Sequence, residues 1–243
     1  MKLEGRVALV TGAAKRVGRA IAVRLAKAGC HVAVHYNSSE EAAEKTVAAC
    51  RQCGVRAVAL QADLDDLAAT AELVTDVLAE FGRLDVLVNN ASVFERMNID
   101  AFTPQDWERT LRINLTAPMV LAHAAREALT AARGRVINLC DAATARPWPE
   151  HLAYCVSKGG LETLTHVLAR ALAPAVNVVG VAPGVAAWPA DYDEATRARL
   201  TARIPLQRAG TVDDIAAMVH FLLAEGDYIT GTVISVDGGR SAV

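Results

Sequence analysis

The chain has 243 residues, 53% hydrophobic and 21% charged, with a formal net charge of -2, enough for one large α/β core. It carries no basic cluster that would mark a nucleic-acid or acidic-membrane surface, and no uncharged run approaches membrane-spanning length. The start lacks the apolar core of a signal peptide, so a cytoplasmic location is expected.

Short β-branched runs near 6–10, 31–35, 55–60, 84–88, 135–139, 176–181 and 233–236 alternate with helical stretches near 16–28, 39–53, 67–81, 104–131, 152–172 and 212–223. That rhythm predicts α/β architecture: a single domain over 1–243, a Rossmann-like doubly wound parallel sheet of about seven strands with helices on both faces. Five cysteines, an odd number, do not suggest a disulfide framework. Cys50 and Cys53 form a Cys-x-x-Cys without a second pair or a nearby histidine, so no metal is expected.

The first strand runs into Thr11-Gly12-Ala13-Ala14-Lys15-Arg16-Val17-Gly18. Gly12 permits a tight turn and Gly18 a close helix, which leaves backbone N–H groups for a pyrophosphate. Arg16 stands where a middle glycine is usual, and with Lys15 it adds positive charge there. The second strand ends in His35-Tyr36-Asn37-Ser38-Ser39, with no acid before Glu40 to bind a ribose 2′-hydroxyl, which favours NADPH over NADH. The same Asn-Ser-Ser is also a turn and helix cap. Asp63, followed by Leu64, comes after the third strand and is placed to cap backbone or meet an adenine ring. The fourth ends in Asn89-Asn90-Ala91-Ser92, and Phe94 is either a core aromatic or a flat surface for a planar ring. Asn114 lies inside a predicted long helix, either bonded locally or holding a water near the site.

Asp141 would sit at the carboxyl end of the fifth strand. Tyr154 precedes Lys158 by four residues on one helix face. A phenol beside an ammonium should have a lowered pKa and act as an acid/base.

Together with Pro183-Gly184 and the tail from Tyr228 to Gly239, these motifs resemble the short-chain dehydrogenase/reductase family over nearly the whole chain. The resemblance implies Tyr154 as general acid, Lys158 as ribose holder, Asn114 as support for a water-linked relay, and Gly12, Lys15, Arg16, Val17, Gly18, His35 to Ser38, Asp63, Leu64, Asn90 to Ser92 and Pro183, Gly184 and Val185 along the cofactor. It implies a substrate loop over about 184–210, in which Trp188 either closes over the ligand or packs the loop down. It also implies a homotetramer through the two long helices.

Three departures are informative. Asp141 replaces the serine expected thirteen residues before the tyrosine, and Arg16 and Ser92 replace glycines. All three, with Phe94, resemble the pteridine reductase branch. The expected activity is therefore NADPH-dependent reduction of a pterin, with Arg16, Ser92, Phe94, Asp141, Tyr154 and Trp188 at the substrate. A carbonyl reductase of 3-oxoacyl thioesters or small ketones is the alternative, and a cofactor-binding regulatory protein the third reading.

Overall fold

The computed structural model describes residues 1–186, 188 and 193–242. Seven strands form one parallel sheet in the order β3-β2-β1-β4-β5-β6-β7. These are β1 (Val7–Val10), β2 (His31–Tyr36), β3 (Ala57–Gln61), β4 (Val86–Asn89), β5 (Arg135–Leu139), β6 (Asn177–Pro183) and β7 (Thr232–Val236). Strand side chains alternate between two cores. Ala8, Val10, Val86, Val88 and Ile137 face one cluster, which includes Ile21, Leu25, Val47 and Val219. Val7, Leu9, Leu87 and Val136 face the other, with Leu73, Val77, Leu121 and Leu168. Both faces of the sheet are thus buried, as parallel strands require.

Helix α1 (Arg16–Lys27) buries Gly18, Ile21, Ala22, Leu25 and Ala26, an apolar stripe at helical spacing. It is followed by α2 (Glu40–Arg51) and by α3 (Leu67–Phe81), which Asp66 caps at its start and left-handed Gly82 ends. The helix expected over 104–131 is broken. It divides into α4 (Pro104–Leu111), a π turn at Arg112–Thr116, α5 (Ala117–Ala124) and α6 (Arg126–Ala132). The π turn carries Asn114, and such turns gather at functional positions. Next come α7 (Leu152–Ala171), α8 (Glu194–Thr201) and α9 (Val212–Ala224).

The connections run outward in opposite directions from β1 and β4, so a crevice opens at their carboxyl ends. A buried chain of hydrogen bonds fixes α7 beside it. Asn89 Nδ2 donates to Asn138 Oδ1 at 2.8 Å, Asn138 Nδ2 to Thr165 Oγ1 at 2.9 Å, and Thr165 Oγ1 to the Leu161 carbonyl at 2.8 Å. No helix among the described residues is long and apolar enough to cross a membrane.

Candidate active site

The crevice is a cleft of about 1070 Å³. At one end lies the β1–α1 turn. Gly12 and Arg16 both have positive φ, 61° and 51°, so the arginine adopts a left-handed conformation that glycine would hold without strain. A Cβ on Gly18 would lie 2.3 Å from the Gly12 carbonyl oxygen and 2.5 Å from Asn90 Nδ2. The start of α1 has no side-chain cap and no acidic residue in its first turn. Its N–H groups are thus left for an anion, which fits a dinucleotide's pyrophosphate.

The neighbouring loops are tied to this turn. Asn90 Nδ2 donates to the Thr11 and Gly12 carbonyls at 2.8 and 3.2 Å, and Thr11 Oγ1 accepts from Asn90 N and Ala91 N. His35 is 2% exposed and lies between backbone groups, its Nδ1 accepting from Gly12 N at 3.1 Å and its Nε2 facing the Ala62 carbonyl at 3.1 Å. Burial lowers its pKa, so it is a neutral brace for the turn. Lys15 Nζ donates to Ser39 Oγ at 2.9 Å, placing a cation and a hydroxyl where β2 ends.

Val17, Asn37, Asp63, Leu64, Ala91, Ser92, Pro183, Gly184 and Val185 line the cleft with Gly12, Lys15, Arg16 and Gly18. Tyr36 and Ser38, expected there too, do not line it. Strand alternation turns the Tyr36 side chain onto the core that α1 and α2 cover. Trp188 lines the cleft, while residues 187 and 189–192 of the expected substrate loop lie outside the described residues.

At the other end Asp141, Tyr154 and Lys158 meet. The Tyr154 hydroxyl donates a short hydrogen bond to Asp141 Oδ2, while Asp141 Oδ1 accepts from Ala143 N at 2.7 Å. Burial first, then the Asp141 charge and hydrogen bond, raise the Tyr154 pKa well above the ordinary phenol value. The expected lowering by Lys158 is therefore overturned. Lys158 Nζ donates to the Leu139 carbonyl at 2.7 Å and lies 5.8 Å from the phenol ring centroid, and burial lowers its own pKa.

Asn114 is 1% exposed and does not line the cleft. Its Oδ1 accepts from Val93 N at 2.9 Å, and its Nδ2 donates to the Val93 carbonyl at 3.0 Å and to Ser157 Oγ at 3.1 Å. Three of the amide's four hydrogen-bond positions are thus taken. The side chain clamps the loop before Phe94 to α7.

Phe94 is 43% exposed. Its ring stacks on His151 at 4.1 Å and meets the Tyr154 ring edge-on at 4.7 Å and the Trp148 ring edge-on at 5.9 Å. His151, Trp148 and Arg240, whose guanidinium lies 5.5 Å from the Trp148 ring centroid, did not emerge from the sequence. Only the fold brings Phe94, residues 148–151 and Arg240 together.

The sequence pattern of the family described as enoyl-(acyl carrier protein) reductase matches residues 12–241. An uncharacterised oxidoreductase of Methylorubrum extorquens is 38% identical, with 98% of each chain covered. Versicolorin reductase 1 of Aspergillus parasiticus is 33% identical over 98% of this chain and 97% of its own. The crystal structure of a blue fluorescent protein from a metagenomic library, in complex with NADPH, superposes with a TM-score of 0.92 at 37% identity over 99% of both chains. The chain belongs to the short-chain dehydrogenase/reductase family of NAD(P)-dependent oxidoreductases.

Proposed function

We propose that the chain is an NADPH-dependent reductase of pterins, acting on a dihydropterin. The observation that carries this reading is the Asp141–Tyr154 pair: a carboxylate that accepts on both oxygens, beside a phenol that keeps its proton. An ionised carboxylate has no hydrogen to offer a developing oxyanion. It can accept from a ring N–H or amino group once the Tyr154 hydroxyl turns from Asp141 to donate to an imine nitrogen beside it. A reduced pterin presents both.

The bound cofactor supplies hydride. Tyr154 completes the reduction by giving its proton to the ring nitrogen of the C=N bond, and the raised pKa keeps that proton in place at neutral pH. Lys158, fixed on Leu139, would hold the cofactor ribose with its remaining N–H groups. Backbone N–H groups from Arg16 to Gly18 hold the pyrophosphate, and Lys15 with Arg16, Asn37 and Ser39 favours a 2′-phosphate. The NADPH bound by the superposed blue fluorescent protein supports that choice. Phe94, backed by His151, offers a flat wall to the pterin, and Ser92 and Arg16 offer polar groups at its edge.

The setting is proposed to be a cytoplasmic homotetramer assembled through the α4–α5 segment and α7. Met119 on α5 and Val156 and Val167 on α7 are 40, 50 and 55% exposed, apolar surface of the kind such an assembly would cover.

Relatives named versicolorin reductase and glucose 1-dehydrogenase favour the second reading, carbonyl reduction. Offering the purified protein NADPH with dihydrobiopterin, and separately with acetoacetyl thioester, separates the two. NADPH oxidation by dihydrobiopterin is expected, and oxidation by the thioester alone would refute the pterin reading.

A further inference from the structure

The substrate end of the cleft is more positive than the reaction requires. Thr196, Arg199, Leu200 and Arg203 line it, at the i, i+3, i+4 and i+7 spacing of one helix face. They belong to α8 and the residues just past it, and α8 itself buries no residue. Arg240, after β7, lines the same end beside Trp148. Of the other cations of the cleft, Arg109 pairs with Glu95 at 2.7 Å, Lys158 is held on Leu139, and Lys15 and Arg16 stand where dinucleotide phosphates reach.

Arg199, Arg203 and Arg240 have no carboxylate ion-pair partner among the described residues. Asp193 feels the charge of Arg199, but its carboxylate caps α8 through Thr196 N at 2.8 Å. The helix dipole accounts for one cation in the last turn of α8. It does not account for a second on the same face and a third arriving from another element, in a chain of net charge -2.

We propose that the substrate carries an anionic tail, a carboxylate or phosphate beyond its reducible ring, that seats between Arg199, Arg203 and Arg240. This deepens the pterin reading and rests on it for the ring. Arginine suits the task because its planar fork meets both oxyanions with paired hydrogen bonds.

The test is calorimetric titration of the NADP⁺-loaded protein, in which no reduction takes place. Two pairs of compounds are used: dihydrofolate with dihydrobiopterin, and acetoacetyl-CoA with ethyl acetoacetate. The anionic member of at least one pair is expected to bind about ten-fold tighter or better, with the preference falling at high salt. The double variant Arg199→Gln/Arg203→Gln should reduce it to within about two-fold while leaving the neutral member's affinity unchanged. Equal affinity within both pairs, a preference that survives the double variant, or no binding of any of the four overturns the proposal. A preference confined to the thioester pair, with NADPH oxidised by acetoacetyl-CoA and not by dihydrobiopterin, would instead retire the pterin reading and keep the anionic tail.

Discussion

Asp141 accepts a hydrogen bond on each carboxylate oxygen, and this governs the phenol beside it. A negative charge next to a buried hydroxyl disfavours the phenolate, so Tyr154 keeps its proton as the pH rises. The sign of the consequence is fixed. Replacing Asp141 by Asn removes the charge that raises the Tyr154 pKa, so ionisation should begin at lower pH. The alkaline limb of kcat/KM is therefore expected to move to lower pH in Asp141→Asn for whichever substrate the variant still reduces. A pH profile checks this, and a limb that stays in place or moves upward would show that Asp141 does not hold the proton on Tyr154.

Among elements, the β1–α1 turn and the π turn carry the most information. Arg16 occupies a left-handed conformation, which costs a non-glycine residue about 1 kcal/mol or more. Arg16→Gly should therefore keep or slightly raise thermal stability while weakening NADPH, read by melting and by fluorescence titration. A loss of stability would mean that the arginine braces the fold. Asn114→Ala removes three hydrogen bonds, one buried and two partly buried, and leaves Val93 N and the Val93 carbonyl without their partner. A loss of about 2–4 kcal/mol in urea unfolding is expected, together with a fall in kcat as Phe94 loses its anchor. An unchanged midpoint would contradict the clamp.

These same elements show what was legible in the sequence. The strands and most helices could be read because each buries its own periodic side chains, as in α1 and in α3 with its Asp66 cap. The glycine turn and the Tyr154–Lys158 spacing could be read because local geometry fixes them. The π turn could not, because α5 beyond it is apolar on most sides, so the phase shift of one extra residue leaves no clear mark. His151 behind Phe94, and Arg240 over Trp148, depend on contacts between distant segments. The fate of the Tyr154 proton depends on burial, which spacing does not reveal.

At the scale of the molecule, the sheet order places cofactor turn, carboxylate and phenol along one crevice, and α5 and α7 stand behind it with exposed apolar side chains. Charge on that surface should break the proposed assembly. The double variant Val156→Asp/Val167→Asp is expected to lower the mass seen by light scattering below that of the tetramer, and an unchanged tetramer would place the interface elsewhere. That Asp141 makes this site a pterin reductase is the proposed reading. It is tested most directly by the ratio of kcat/KM for dihydrobiopterin to that for acetoacetyl thioester, measured with NADPH in the wild type and in Asp141→Ser. A wild-type ratio well above one is expected, falling by at least about ten-fold in the variant, with NADPH affinity retained. Pterin turnover unchanged in Asp141→Ser, or none in the wild type, would contradict it.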